Sequence, residues 1–393
     1  MDLYEVKKSY EMFERAKKVV PGGLIGPRTP LFLTYGIHPV FSESCSGSKF
    51  RDVDGNEYID YMCAFGAQVL GYRHPKVEET AKKQMEKGDC FTMPSHLWLD
   101  LAEFVVRELP GDWTVFAKNG SDVTSYAALV ARAHTGRPGI AIAHHAYHGL
   151  DHWCIESKVG IPDEYKAHVY HFRYNDIEEL QQLVKEKPGE LAGIMLTPVG
   201  HWAMKDQEEP EPGYFEAVRK LCDQEGVLML IDDIRTGFRI KYEGAHLNYG
   251  QAEADIVCYG KAMANGYPIA MVTGKEKFMD AARKCYFSGT HFFSAVPMAA
   301  AMACMTEIKA SGAIAKIKDM GTRLMKTLAE QASAHGVKVN ITGHPAMPYM
   351  TFDGDQGLER ARFFCGEATR RGIFLHPHHN WFVSAGLTED DLK

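Results

Sequence analysis

Four short segments carry residues whose types and spacing could do chemistry together. In Ala254-Asp255-Ile256-Val257-Cys258-Tyr259-Gly260-Lys261-Ala262-Met263-Ala264, a lysine follows an apolar run and precedes small residues. An amine in such surroundings is poorly solvated, so its pKa falls and it becomes a nucleophile toward carbonyls. In Val227-Leu228-Met229-Leu230-Ile231-Asp232-Asp233, a second apolar run ends in two carboxylates. A buried Asp232 needs a cation or a donor beside it, and a protonated ring nitrogen would serve. Asn119-Gly120-Ser121-Asp122 follows a third run and opens a helical pattern through Val123, Tyr126, Ala127, Val130 and Ala131. With Ser121 as N-cap, the free N–H groups of that helix start suit an anion such as a phosphate. In His144-His145-Ala146-Tyr147-His148-Gly149, after a fourth run, Tyr147 could stack on a planar ring.

Each segment also has an ordinary reading. The helix start is then a cap that binds nothing, and Tyr147 a buried side chain with its hydroxyl satisfied. The carboxylates are capping or solvated groups, and the lysine a surface charge. The clustered histidines are not read as a metal site.

Strands must position these segments. Candidates are Thr114–Ala117, Ile140–Ala143, Gly193–Leu196, Val227–Ile231, Ile256–Tyr259 and Ile269–Val272, with helical stretches between several of them. That alternation predicts an α/β fold with a mainly parallel sheet flanked by helices on both faces. In such sheets ligands bind outside the carboxyl ends of the strands, where the four segments would converge. Upstream, Leu3 to Val20 reads as a helix stopped by Pro21-Gly22-Gly23, and Lys49 to Tyr61 as a hairpin turning at Asp54-Gly55. After Pro297 the pattern predicts helices over 297–309 and 312–335, strands at Val337–Ile341 and Met347–Phe352, a helix near 357–371 and a strand at Gly372–Leu375. The expected organisation is an N-terminal segment over 1–60 packing with the small lobe, a large domain over 61–296 and a small α+β domain over 297–393.

Bulk properties exclude some partners. A net charge of -7 and a pI near 6.2 lack the basic stripe of a nucleic-acid binder. Nine dispersed cysteines argue against a disulfide framework and a zinc site. No run is apolar enough to span a bilayer, and the charged N-terminus lacks a signal-peptide core. A cytoplasmic enzyme without nucleic-acid or membrane partners is expected.

The order of the segments is specific: phosphate turn, stacking Tyr, Asp after a strand, then Lys 29 residues later. Together with PGGLIGPR, SKFRDVDGNEYIDYMCAFGAQVLGYRHP, KNGSDVTSYAALVARAHTGR, LIDDIRTGFR, DIVCYGKAMANGYPIA, FSGTHFF and FVSAGLTEDDL, it resembles the class III aminotransferases of fold type I. These enzymes depend on pyridoxal 5'-phosphate (PLP). The similarity runs from residue 21 to the C-terminus and points to the glutamate-1-semialdehyde aminomutase-like branch. It implies that Lys261 carries PLP as a Schiff base and shuttles the proton, and that Asp232 keeps the pyridine nitrogen protonated. It further implies that Tyr147 and Ile234 flank the ring, that Gly120 and Ser121 bind the phosphate, and that Thr290 reaches the phosphate of a neighbouring subunit. The protein would then be a homodimer with shared active sites. Arg28 lies near the place where this branch binds a carboxylate, which implies glutamate as amino donor.

The chain departs from the family at Thr197-Pro198-Val199, at Ala295-Val296-Pro297 and at His378-His379-Asn380-Trp381, and it is shorter after Gly149. These segments surround the substrate in the family. They are rich in histidine and tryptophan, which suit hydroxylated compounds because rings stack on sugar C–H faces while imidazoles bond hydroxyls. Arg28, His148, His201, His379 and Trp381 are therefore expected substrate contacts. The acceptor is expected to be a hydroxylated sugar acid such as a 3-deoxy-octulosonate, as for the family members that install an 8-amino group on that sugar. Amino-sugar and lipopolysaccharide biosynthesis would follow from that role. An aminomutase, a racemase and an inactive PLP-fold binding protein are the alternatives.

Overall fold

A computed structural model describes residues 3–393, so Met1 and Asp2, which belong to the expected 1–60 segment, lie outside the described residues. Thirteen strands form among them. The first three are β1 (Ser42–Ser46), β2 (Lys49–Asp52) and β3 (Glu57–Asp60). Seven more follow: β4 (Trp113–Ala117), β5 (Gly139–Ala143), β6 (Val169–Phe172), β7 (Leu191–Leu196), β8 (Leu228–Asp232), β9 (Ile256–Tyr259) and β10 (Ala270–Gly274). The last are β11 (Val339–Thr342), β12 (Tyr349–Phe352) and β13 (Ile373–Phe374).

Strands β4 to β10 make one sheet in the order β4-β10-β9-β8-β7-β5-β6. Only β10 runs against the others, antiparallel to both β4 and β9. Strands β5, β7, β8 and β9 are buried at every residue, as a parallel sheet covered on both faces requires. The segments after β4, β5, β8 and β9 therefore leave from one edge. The helix Gly120–Thr135 buries Val123, Tyr126, Ala127, Val130 and Ala131 in the core of this sheet and ends at left-handed Gly136.

Contacts divide the chain into two units. One comprises the chain up to His74, His201–Glu208 and Ala315–Lys393; the other comprises Pro75–Gly200 and Glu209–Ile314. These boundaries differ from the expected cuts at 60/61 and 296/297, for local reasons. Phe382 N–H donates to Tyr61 O at 2.6 Å and Ala385 N–H to Val69 O at 2.8 Å, so the stretch beyond residue 60 stays with the C-terminal part. The helix Ala295–Ala310 instead packs on helix Pro75–Met85. The insert 201–208 joins the first unit because Gln207 N–H donates to Thr342 Oγ1 at 2.9 Å and Thr351 Oγ1 to Asp206 Oδ1 at 2.5 Å. Within that unit β1, β2, β3 and β13 form one sheet and β11 pairs with β12. Strand β13 lies parallel to β3, Ile373 opposite Ile59. Helix Lys7–Ala16 is shorter than the expected Leu3–Val20.

Candidate active site

In the second unit, β8 delivers Asp232 as its last residue, and its neighbour β9 pairs Cys258 with Asp232 before reaching Gly260 and Lys261. Lys261 opens the 3-10 turn Lys261–Ala264 with φ 43°, in the left-handed region that long side chains rarely enter. Such a conformation persists only where the surroundings over-determine it, and such strain clusters at functional sites. Here Ala262, Met263 and Ala264 are all buried, and Cys304 Sγ donates to Ala262 O at 3.3 Å. Desolvation lowers the Lys261 amine to about 8, with Arg235 and Arg239 adding to the fall and Asp232 opposing it. The amine's pKa is thereby brought near physiological pH, where a minor fraction of it is neutral.

Asp232 is buried. Its Oδ2 lies 2.8 Å from His148 Nδ1, and its Oδ1 accepts from Ile234 N–H at 3.2 Å. The adjacent Asp233 faces the fold instead. It accepts from Thr236 Oγ1 and from Ala245 N–H at 2.9 Å, and burial pushes its carboxyl up to about 7. Ile234 packs against the start of helix Gly120–Thr135. A Cβ on Gly120 would stand 2.8 Å from Ile234 Cδ1, so only glycine lets backbone and side chain approach this closely. Ser121 is not the N-cap. Asn119 is, and Asp122 Oδ2 accepts from its N–H at 2.8 Å in a capping box. Ser121 Oγ accepts from Leu150 N–H at 3.0 Å, and Gly149 (φ 124°) lies so close to Ser121 that a Cβ would meet its Oγ at 2.6 Å. Tyr147 is half exposed. Thr290 is exposed in a separate turn, its carbonyl accepting from Cys90 Sγ at 3.5 Å.

Two expected substrate contacts, His148 and Trp381, are buried. His148 is buried, its Nδ1 2.8 Å from Asp232 Oδ2, with Thr124 Oγ1 bonded to its carbonyl at 2.6 Å. Trp381 is 1% exposed; its indole N–H donates to His376 O at 3.1 Å, which makes it a core residue of the first unit. His201 is also buried there, within the 201–208 insert. Arg28 and His379 are brought together. The Arg28 guanidinium lies 4.5 Å from the centre of the Phe65 ring, and His379 meets the same ring edge-on at 5.3 Å. His376, held neutral by a burial that pulls its pKa to about 4, donates from Nε2 to Pro27 O at 3.1 Å and lies 6.2 Å from Phe65.

Sequence reasoning missed two residues here. Arg235, whose guanidinium burial lowers to about 10, stands three places after Asp232, and an arginine just after an apolar run was the available signal. Phe65 sits in a left-handed turn, Cys63, Ala64 and Phe65 having φ of 46°, 51° and 58°. No residue type announces that turn.

The family model for aminotransferase class-III matches residues 34–386. The aminopentol aminotransferase of Sphingopyxis macrogoltabida is 38% identical over 97% of this chain and 90% of its own length. A glutamate-1-semialdehyde 2,1-aminomutase of Desulforamulus reducens is 30% identical over 98% of this chain and 95% of its own. The FumI protein of Sphingopyxis sp. MTA144, solved in a PLP form, is 37% identical with a TM-score of 0.96, covering 98% of this chain and 93% of that one. The geometry fits that cofactor: a buried carboxylate, a desolvated amine, a helix start stripped of Cβ beside Ile234, and a half-exposed tyrosine leaving from the same edge of one sheet. The chain belongs to the class III aminotransferases, PLP-dependent enzymes of fold type I.

Proposed function

We propose that this enzyme moves an amino group between a hydroxylated carbonyl compound and glutamate, through a site centred on Lys261 and Asp232. The single observation that carries the site is the pairing of β8 with β9, which sets a buried carboxylate and a strained, desolvated amine side by side. PLP, when bound, supplies an electron sink for the bond broken at the substrate's amine-bearing carbon. Lys261 would hold the cofactor's carbonyl carbon and move the proton, since its amine is neutral in a useful fraction near pH 8. Asp232 would keep the ring nitrogen protonated. Ile234 and Tyr147 would flank the ring, and Gly120 and Ser121 would offer N–H groups of the helix start to the phosphate. Thr290 would serve the phosphate of a second copy. Large exposed apolar side chains on the second unit, Met93 at 73%, Leu99 at 59% and Tyr286 at 89%, support a homodimer.

The substrate class rests on the Arg28, Phe65, His376 and His379 cluster and on the aminopentol relative. Arg28 offers a planar fork to a carboxylate, which suits glutamate. His379 and the aromatic face of Phe65 suit a hydroxylated chain. His148, His201 and Trp381 are given no substrate contact.

Half-reactions followed by the cofactor's absorption test this. Glutamate should convert the yellow form to the pyridoxamine form, and a polyhydroxylated ketone or aldehyde should restore it. An octulosonate aldehyde in place of an open-chain polyol ketone tells the sugar-acid acceptor from the wider class. Restoration by glutamate-1-semialdehyde with release of 5-aminolevulinate would replace the proposal with an aminomutase.

A further inference from the structure

Pro27, Arg28, Phe65 and His376 line one cavity of about 340 Å³ in the first unit. The Arg28 guanidinium has a backstop there, the Phe65 ring, whose centre lies 4.5 Å away. That ring is fixed by its backbone. Cys63, Ala64 and Phe65 are successive left-handed residues, a conformation that persists only where contacts over-determine it. Asp60 anchors the turn, its carboxylate accepting from Met62 N–H at 2.7 Å and from the Tyr72 hydroxyl at 2.6 Å. The backbone of Arg28 is held separately, by His376, which is 2% exposed. Its Nδ1 accepts from His378 N–H at 3.1 Å, which places the ring hydrogen on Nε2. Nε2 then donates to Pro27 O at 3.1 Å, the carbonyl of the peptide bond that leads into Arg28. The Trp381 indole N–H donates to His376 O at 3.1 Å, so the histidine itself hangs on the core.

We propose that His376 is a positioning residue for the carboxylate subsite: its Nε2–H fixes the peptide plane that carries Arg28, so that the guanidinium meets the substrate's carboxylate already seated on the Phe65 ring. This rests on Arg28 binding that carboxylate. Arg28 ends the short 3-10 turn Gly26–Arg28, in which Thr29 N–H donates to Gly26 O at 3.2 Å and Gly26 stands at φ 66°. Its side chain is exposed, and a long exposed side chain loses rotamer freedom when it binds. The bond from the buried imidazole removes backbone freedom at the residue whose planar fork must arrive in register. The Phe65 ring limits the rotamers that remain. A substrate carrying a carboxylate gains affinity from this preorganisation, while the bond broken at the amine-bearing carbon gains nothing from it. His376 should therefore act on binding and not on rate.

The test compares two amides. In His376→Asn the side-chain oxygen can still accept from His378 N–H, but the side chain is too short to reach Pro27 O. In His376→Gln the amide N–H reaches the place of Nε2–H. In the PLP-loaded enzyme, the glutamate half-reaction followed across glutamate concentration gives an apparent Kd and a limiting rate separately. His376→Asn should raise the apparent Kd about threefold to tenfold, the scale of one neutral hydrogen bond, and leave the limiting rate within about twofold. His376→Gln should recover most of that loss. Arg28→Ala should raise the apparent Kd further than His376→Asn does. Adding His376→Asn to Arg28→Ala should then cost almost nothing more, because the imidazole acts through the arginine. A wild-type Kd in His376→Asn, beside an impaired Arg28→Ala, would overturn the inference alone. So would additive losses in the double variant, or equal losses in the Asn and Gln variants, which mark plain packing. A wild-type Kd in Arg28→Ala, or a wild-type enzyme that does not react with glutamate, would remove the Arg28 assignment itself, and the inference with it.

Discussion

Lys261→Met in the cofactor-free protein isolates the energetic cost of the buried amine. Methionine keeps the length and most of the volume of lysine without its charge. The amine falls from its ordinary 10.5 to about 8, chiefly because burial strips its hydration. That fall corresponds to about 3 kcal/mol of destabilisation carried by the folded chain whenever the amine is protonated in both folded and unfolded states. Below pH 8 the term is fully present. Between pH 8 and 10.5 the unfolded chain still binds a proton that the folded chain has released, so the lysine protein gains stability as pH rises. Above 10.5 both states are neutral and the term is gone. Lys261→Met should therefore be more stable than the wild-type apoprotein by about 2–3 kcal/mol at pH 7, with solvent at the partly buried stem trimming the full figure. The advantage should shrink through pH 8–10.5. Urea unfolding of both apoproteins across pH 6.5–10.5 reads this directly, because every other titrating group cancels in the difference. Equal stabilities at pH 7, or a gap that does not close toward pH 10.5, would refute the claim that the lysine is held desolvated.

Asp232→Asn should keep the fold and lose about a hundredfold to a thousandfold in kcat, the usual cost of one charge-stabilising group at a reacting centre; stopped-flow half-reactions measure it. Trp381→Ala should cost about 3–5 kcal/mol of stability in urea, and the fraction that stays folded should keep its KM for glutamate, because the indole is core. Gly120→Ala should weaken PLP retention in equilibrium dialysis, since its Cβ would displace Ile234, with overpacking of about 1–3 kcal/mol to be relieved. Arg28→Ala should raise KM for glutamate and leave the urea midpoint unchanged, the side chain being exposed.

Much of this fold was legible because its strands are buried on both faces. Runs such as Ile256–Tyr259 must be apolar throughout, and that expected strand coincides with β9. The strands missed, β1 and β6, are polar or half-exposed: Ser42–Ser46 has no buried residue, and Val169–Phe172 buries only Phe172. The placement of Lys261, Asp232, Gly120 and Tyr147 at strand ends was legible, because each follows an apolar run and leaves at the edge where such sheets bind ligands. The roles of His148 and Trp381 were not. A histidine reads the same whether it meets substrate or a neighbouring carboxylate, and only the 2.8 Å contact separates the two. The grouping of 201–208 with the first unit was not legible for a related reason. Nothing local in His201–Glu208 shows that its partners are Thr342 and Thr351.

The parallel pairing of β3 with β13 has a consequence for synthesis on the ribosome. Ile59 must wait for Ile373, and at 5–20 residues per second that delay is roughly 16–60 s. Throughout it the hairpin of β2 and β3 is made but its outer edge is open, while the seven-stranded sheet of the second unit is already complete in sequence by Gly274. An open strand edge is a template for pairing with other chains. Nascent chains stalled short of residue 373 should thus be cut by protease around residues 49–60 while their 113–274 region resists, and chaperone occupancy should concentrate on the N-terminal hairpin until the last stretch of the chain emerges.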